Sequence, residues 1–79
     1  MSPTVLKVKG YRFYFFSNEE VRKHIHVECK DGEAKFWIEP IVSLADYYGL
    51  SSRKLTEIQK IVEEKKDEII KKWEKYFEG

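Results

Sequence analysis

The dipeptide Asp31-Gly32 limits what this chain can fold into more than any other feature. The favoured two-residue hairpin turn needs φ > 0 at both central positions, and Asp-Gly meets that need at low cost. Alternating runs flank it, HIHVECK before and EAKFWIEP after. With Asp31-Gly32 at the turn, Lys30 faces Glu33, Cys29 faces Ala34, Val27 faces Phe36 and Ile25 faces Ile38. The last three pairs are small or apolar and share one face. The other face carries Glu28 against Lys35, His26 against Trp37 and His24 against Glu39. A one-residue slip would turn every core side chain outward, so the pattern itself argues for this register. One hairpin thus provides a wall of the core and an outer face of two histidines, a tryptophan and carboxylates.

The rest of the chain is built around that hairpin. Thr4 to Phe16, TVLKVKGYRFYFF, reads as another hairpin turning at Lys9-Gly10. Its signal is weaker, because Lys at φ > 0 is unfavourable. In this register Leu6 faces Phe13 and Val8 faces Tyr11 on the core side. Val5 faces Tyr14 and Lys7 faces Arg12 on the other. Ser17 to Lys23 breaks the pattern, as a short capped helical turn or as a plain loop. Pro40 ends the fourth strand, since it has no N–H for the ladder. Ile41 to Tyr48, IVSLADYY, starts with β-branched residues and reads as a fifth strand, with a short helical turn as the alternative. Gly49 marks the next turn.

A helix begins at Ser51 or Ser52. Leu55, Ile58, Ile61, Val62, Ile69, Ile70, Trp73, Tyr76 and Phe77 recur at helical spacing on one stripe. One helix of about 26 residues would be ~39 Å long at 1.5 Å per residue. Its apolar phase persists across the charged run Glu63 to Glu68, where a bend is compatible with the sequence. The second half is expected to overhang the sheet and offer Trp73, Tyr76 and Phe77 to a partner, unless they are ordinary core. The expected fold class is α+β: one domain over residues 1–79, with an antiparallel sheet of two β-hairpins, with or without a fifth strand, packed by one long C-terminal helix.

Composition removes several function classes. Cys29 is the only cysteine, so no internal disulfide can form, and the pattern places it on the apolar face as a small hydrophobe. Met1 is followed by Ser2-Pro3-Thr4 rather than by a basic region and an apolar run, and no apolar stretch reaches membrane-spanning length. A reduced cytoplasm is the expected setting, with no membrane contact. Formal net charge is +1, so no global field favours a polyanion, although the sheet half is mildly basic. There is no Gly-rich phosphate loop.

Several stretches together are family-like: PTVL at Pro3 to Leu6, GYRFYFFSNE at Gly10 to Glu19, HIHV at His24 to Val27, GEAKFWIEP at Gly32 to Pro40, and the closing Trp73, Tyr76 and Phe77. Over nearly its whole length the chain resembles a family of small, mostly bacterial proteins grouped as domain of unknown function 4160. Where that family usually has prolines before the histidine pair, this chain has Val21-Arg22-Lys23. The resemblance implies a compact α+β domain, often encoded beside a second small protein. Such gene pairs are suspected of being toxin–antitoxin modules.

The outer face supports four readings. The plainest is a solvated sheet face with Trp37 packed over His26. In another, Tyr14, Phe16 and Trp37 stack nucleic-acid bases while Lys7, Arg12, Arg22 and Lys23 meet phosphates. Metal-independent RNA cleavage would then use His24 or His26 as general acid or base, with Arg12 steadying the phosphate and Glu39 orienting His24. A metal reading takes His24 and His26 as ligands with Glu28 or Glu39, but a bare H-x-H is a weak signal; no metal or cofactor is expected. The remaining reading is protein binding, through an exposed sheet edge and the aromatic end of the helix. It agrees with both the composition and the resemblance, and is the expected function. The expected partner is the protein encoded by a neighbouring gene, with RNA or a second copy of the chain as alternatives. The residues expected to make contacts are Tyr14, Trp37 and Glu39.

Overall fold

The computed structural model describes residues 4–16 and 22–78. Most of Ser17 to Lys23, read above as a loop or short helical turn, lies outside them. Among the described residues the strands are β1 (Thr4–Val8), β2 (Tyr11–Tyr14), β3 (His24–Cys29), β4 (Gly32–Trp37) and β5 (Ser43–Tyr48). They form one antiparallel meander in the order β1-β2-β3-β4-β5. Two helices follow, α1 (Ser52–Glu64) and α2 (Lys66–Phe77). The α+β class, the two hairpins and the fifth strand are as the sequence predicts.

The first hairpin turns at Lys9-Gly10. Lys9 has φ 51° and Gly10 φ 81°, so the lysine takes the left-handed conformation that its side chain disfavours. Leu6, Lys7 and Val8 pair with Phe13, Arg12 and Tyr11 as expected. Beyond them the register shifts, and Tyr14 pairs with Thr4 rather than with Val5. Val5 occupies the irregularity and is buried in the core. An extra residue on one strand lets its side chain leave the outer face.

The central hairpin corrects the expected register. Cys29 pairs with Gly32, Glu28 with Glu33, Val27 with Ala34, His26 with Lys35, Ile25 with Phe36 and His24 with Trp37. The two-residue loop is therefore Lys30-Asp31. The expected pairs His26 with Trp37 and His24 with Glu39 do not form. Gly32 does not have positive φ. A Cβ there would collide with the Tyr48 carbonyl oxygen and come within 3.0 Å of Gly49. The glycine serves a close approach to the end of β5 rather than the turn, while Asp31 forms an ion pair with Lys54 of α1. The register moved by two residues, which preserves the faces. Ile25, Val27, Ala34, Phe36 and Ile38 remain on the buried side as predicted.

The helical stripe spans the predicted length but in two segments meeting at Lys65, where φ is −102° and ψ is 12°. The backbone ladder crosses the bend, with Lys65 N–H donating to the Ile61 carbonyl and Ile69 N–H to the Lys65 carbonyl, both at 2.9 Å. A straight helix of this length would outrun strands of six residues, about 20 Å long. The bend keeps Ile58, Ile61, Val62, Ile69 and Trp73 buried in one core with the inner face of the sheet. Ser51 caps α1, its Oγ accepting from Lys54 N–H at 3.2 Å.

Candidate functional site

The outer face of β2, β3 and β4 carries the predicted side chains, in a different arrangement. His24 is fully buried. Its Nδ1 lies 2.8 Å from the Arg22 carbonyl oxygen, which can only accept, so Nδ1 carries the proton. Its ring meets Trp73 of α2 edge-on at 5.0 Å, and also contacts His26 and Trp37. His24 is thus a joint between the outer face and the helix layer. Strand alternation gave it the outer face; only the packing of α2 over the end of β3 reveals that the ring is covered.

His26 is half-buried and stays with the outer aromatics. It stacks on Tyr14 at 5.4 Å and tilts against Phe16 at 4.6 Å. Arg12 donates to Glu28 at 3.2 Å and to the Thr4 hydroxyl at 2.8 Å, and its guanidinium lies 4.6 Å from the centre of the Tyr14 ring. Burial raises the Tyr14 phenol above its ordinary pKa, Glu28 and Glu33 add to the rise, and Arg12 opposes it. The phenol is therefore held neutral. Trp37 lies beneath two cations, Arg22 at 4.2 Å and Lys35 at 4.6 Å. Glu39 meets Lys23 Nζ at 3.5 Å, and its carbonyl accepts from Arg22 Nε at 2.7 Å. The structure therefore brings Tyr14, His26 and Arg12 together, puts Trp37 beside His24, and draws Glu39 to the lysine before β3. Among the described residues no group of three His, Cys, Asp or Glu side chains is placed to hold a metal ion.

The predicted helix-end anchors divide. Trp73 is buried and Phe77 half-buried, both against Phe15, while Tyr76 is partly exposed. Tyr76 borders an open groove of about 580 Å³ with Val5, Phe15, Lys72 and Lys75. Trp73 is core, as the alternative reading had it.

Among the described residues, exposed apolar side chains gather at a sheet edge for which the sequence reading named no contact residue. Ile41, Leu44, Tyr47 and Tyr48 are exposed on and just before β5, with Tyr48 at 77%. Pairing puts Leu44 opposite Phe36 and Tyr47 opposite Ala34, on the core side, and Tyr48 opposite Glu33, on the outer side. β5 thus exposes large side chains on both faces, with Ser43 and Asp46 beside Tyr48 on the outer one, and it ends the sheet. A cleft of about 180 Å³ adjoins it on the outer face, lined by Phe16, His26, Glu33, Lys35, Asp46 and Tyr48 among others. The available signal was the Asp-Tyr-Tyr run in a segment ambiguous between strand and helix.

A family model described as Domain of unknown function (DUF4160) matches residues 10–74. No curated protein matches the chain, and no solved structure does. No helix among the described residues is long and apolar enough to cross a membrane.

Proposed function

This chain belongs to the DUF4160 family, and we propose that it is a small protein-binding component of a toxin–antitoxin-like pair. The observation that supports protein binding is β5; the two-gene pairing rests on what the family resemblance implies. A strand with a neighbour on one side only leaves backbone groups available for pairing with another chain. Natural edges are usually blunted by charge, bulges or cover. At the other edge β1 has Lys7, an irregular register at Val5, and Lys72 Nζ donating to the Val5 carbonyl at 3.0 Å. β5 has an irregularity of its own at Ala45 and one carboxylate, Asp46, but it exposes Leu44, Tyr47 and Tyr48 beside them. Exposed apolar surface gathered in one place marks interaction sites.

The RNA-acting alternative keeps the exposed Phe16 and half-buried His26 rings as stacking surfaces, but Tyr14, expected to make contacts, is buried between His26 and Arg12 and offers no face to a base. Against it stand the carboxylates of Glu28, Glu33 and Asp46 around the same surface, and the burial of His24, which leaves His26 as the accessible histidine. Co-expression with the protein encoded by the adjacent gene decides between them. A protein-binding component forms a stable complex on size exclusion and causes no growth arrest alone. Arrest by the chain alone, abolished by His26→Ala in a folded variant, refutes the proposal and favours RNA cleavage. A general acid or base contributes about 10²–10⁴-fold in rate, enough to register in growth.

A further inference from the structure

We infer that the free edge of β5 takes an extended segment of a partner protein as an added strand, with one aromatic or long aliphatic side chain seated in the adjoining cleft and a basic side chain beside Asp46. The inference rests on the protein-binding reading and names the place and chemistry of contact.

Three features define the occupant. The first is the cleft's size. At about 180 Å³ it is smaller than the roughly 300–1,000 Å³ of sites that enclose a whole small molecule, so it suits one side chain of a larger ligand. Phe16 and Tyr48 supply apolar surface and His26 a further ring, which fits an aromatic or long aliphatic anchor.

The second is the backbone. β5 pairs with β4 alone and borders the cleft through Asp46 and Tyr48. Its Tyr47 N–H donates to the Asp46 carboxylate at 2.9 Å, a bond that an added strand's carbonyl would replace, freeing the carboxylate for a basic side chain. A strand laid antiparallel or parallel against it would send alternate side chains to opposite faces. One set would cover Leu44 and Tyr47 on the core side. The other would reach Tyr48 and the cleft.

The third is charge. Among the described residues, Glu33 and Asp46 border the cleft with Lys35, which pairs across from Asp46 and whose Nζ lies 4.6 Å from the Trp37 ring centre. Opposite charges on neighbouring strands stabilise a sheet and like charges oppose it. A segment with Lys or Arg beside Asp46 therefore pairs better than an acidic one or a polyanion. A second copy of the chain would bring another Asp46 and Glu33 to the same edge, because a two-fold interface uses the same patch twice.

The test uses the full chain and a phage-displayed library of random peptides. Enriched peptides should alternate, with an aromatic or long aliphatic residue and a Lys or Arg on one face. A synthetic peptide from that set should bind Tyr48→Thr at least about tenfold more weakly, the loss expected when a central aromatic contact is removed. Threonine suits an exposed strand position, so that variant should stay folded. Methylating alternate amide nitrogens of the peptide, in either of the two phases, should abolish binding in one phase only, without touching the protein. Asp46→Thr should weaken binding and flatten its salt dependence. Failure to enrich such peptides, binding indifferent to Tyr48→Thr and to N-methylation, or binding lost instead on Tyr76→Ser overturns the inference. So does self-association through this edge that peptides do not displace, or displacement of the peptide by oligouridylate. The complex with the neighbouring gene's product separates the two claims. A complex that survives Tyr48→Thr overturns this site and leaves the protein-binding reading standing, whereas absence of any complex removes that reading itself.

Discussion

Gly32 is the position at which two explanations of one residue give opposite predictions. If the glycine served an Asp-Gly turn at φ > 0, its value would be conformational. Ala would then be strained, and Asn, which tolerates the left-handed region, would be the milder replacement. In the structure Gly32 does not have positive φ, and its role is to let the Tyr48 carbonyl and Gly49 pass close by. Here the obstacle is a strand's backbone, which yields less easily than the end of a flexible side chain. Gly49 mirrors the constraint: it has φ +76°, and a Cβ there would lie 2.5 Å from the Asp31 carbonyl oxygen. Overfilling a packed site costs about 1–3 kcal/mol for small additions. Gly32→Ala should fall in the upper part of that range, and Gly32→Asn should be worse because it adds volume to the same contact. In a domain of this size, a loss of about 2 kcal/mol lowers Tm by roughly 8–16 °C. Urea unfolding of the wild type and both variants, fitted with a common m-value, measures the order directly. An Asn variant more stable than the Ala variant would refute the close-approach argument and restore the turn at Asp31-Gly32.

Other substitutions test other joints. His24→Ala should cost about 2–5 kcal/mol, like other buried large side chains, whereas His26→Ala removes outer-face ring contacts and should cost about 1 kcal/mol; thermal unfolding compares them, and equal losses would contradict the burial of His24. Desolvation raises the Tyr11 phenol to about 12, and Glu57, accepting its hydrogen bond at 2.7 Å, adds to the rise. Because the folded pKa lies above the unfolded value of 10.0, this stabilisation is present below about pH 10 and lost as pH climbs toward 12. Unfolding curves across that window should fall less steeply for Tyr11→Phe than for the wild type, and parallel curves would contradict the shift. Ser51→Ala removes the α1 cap and should cost about 1 kcal/mol in urea unfolding.

The sequence by itself determined the faces of the central strands (though not that of Val5 at the β1 irregularity), the antiparallel hairpins and the extent of the helical stripe. Alternation and helical spacing are local properties, and a register shift of two residues leaves a strand's faces unchanged, so Ile25, Val27, Phe36 and Ile38 were legible as core. The same insensitivity is why the partner of each histidine was not legible. Faces fix a register only modulo two, and Gly32, whose close approach accompanies the observed register, responds to the end of β5 rather than to its own hairpin. The fate of His24 was likewise tertiary, because Trp73 of α2, nearly fifty residues onward, covers a ring that alternation assigns to the outer face. The candidate edge at β5 emerged last. Tyr47 and Tyr48 read as ordinary strand residues until the sheet order placed their strand at the end, where no neighbouring strand covers them. Side-chain periodicity is written residue by residue. Which strand ends a sheet, and which ring a helix covers, depends on how separate elements meet in space.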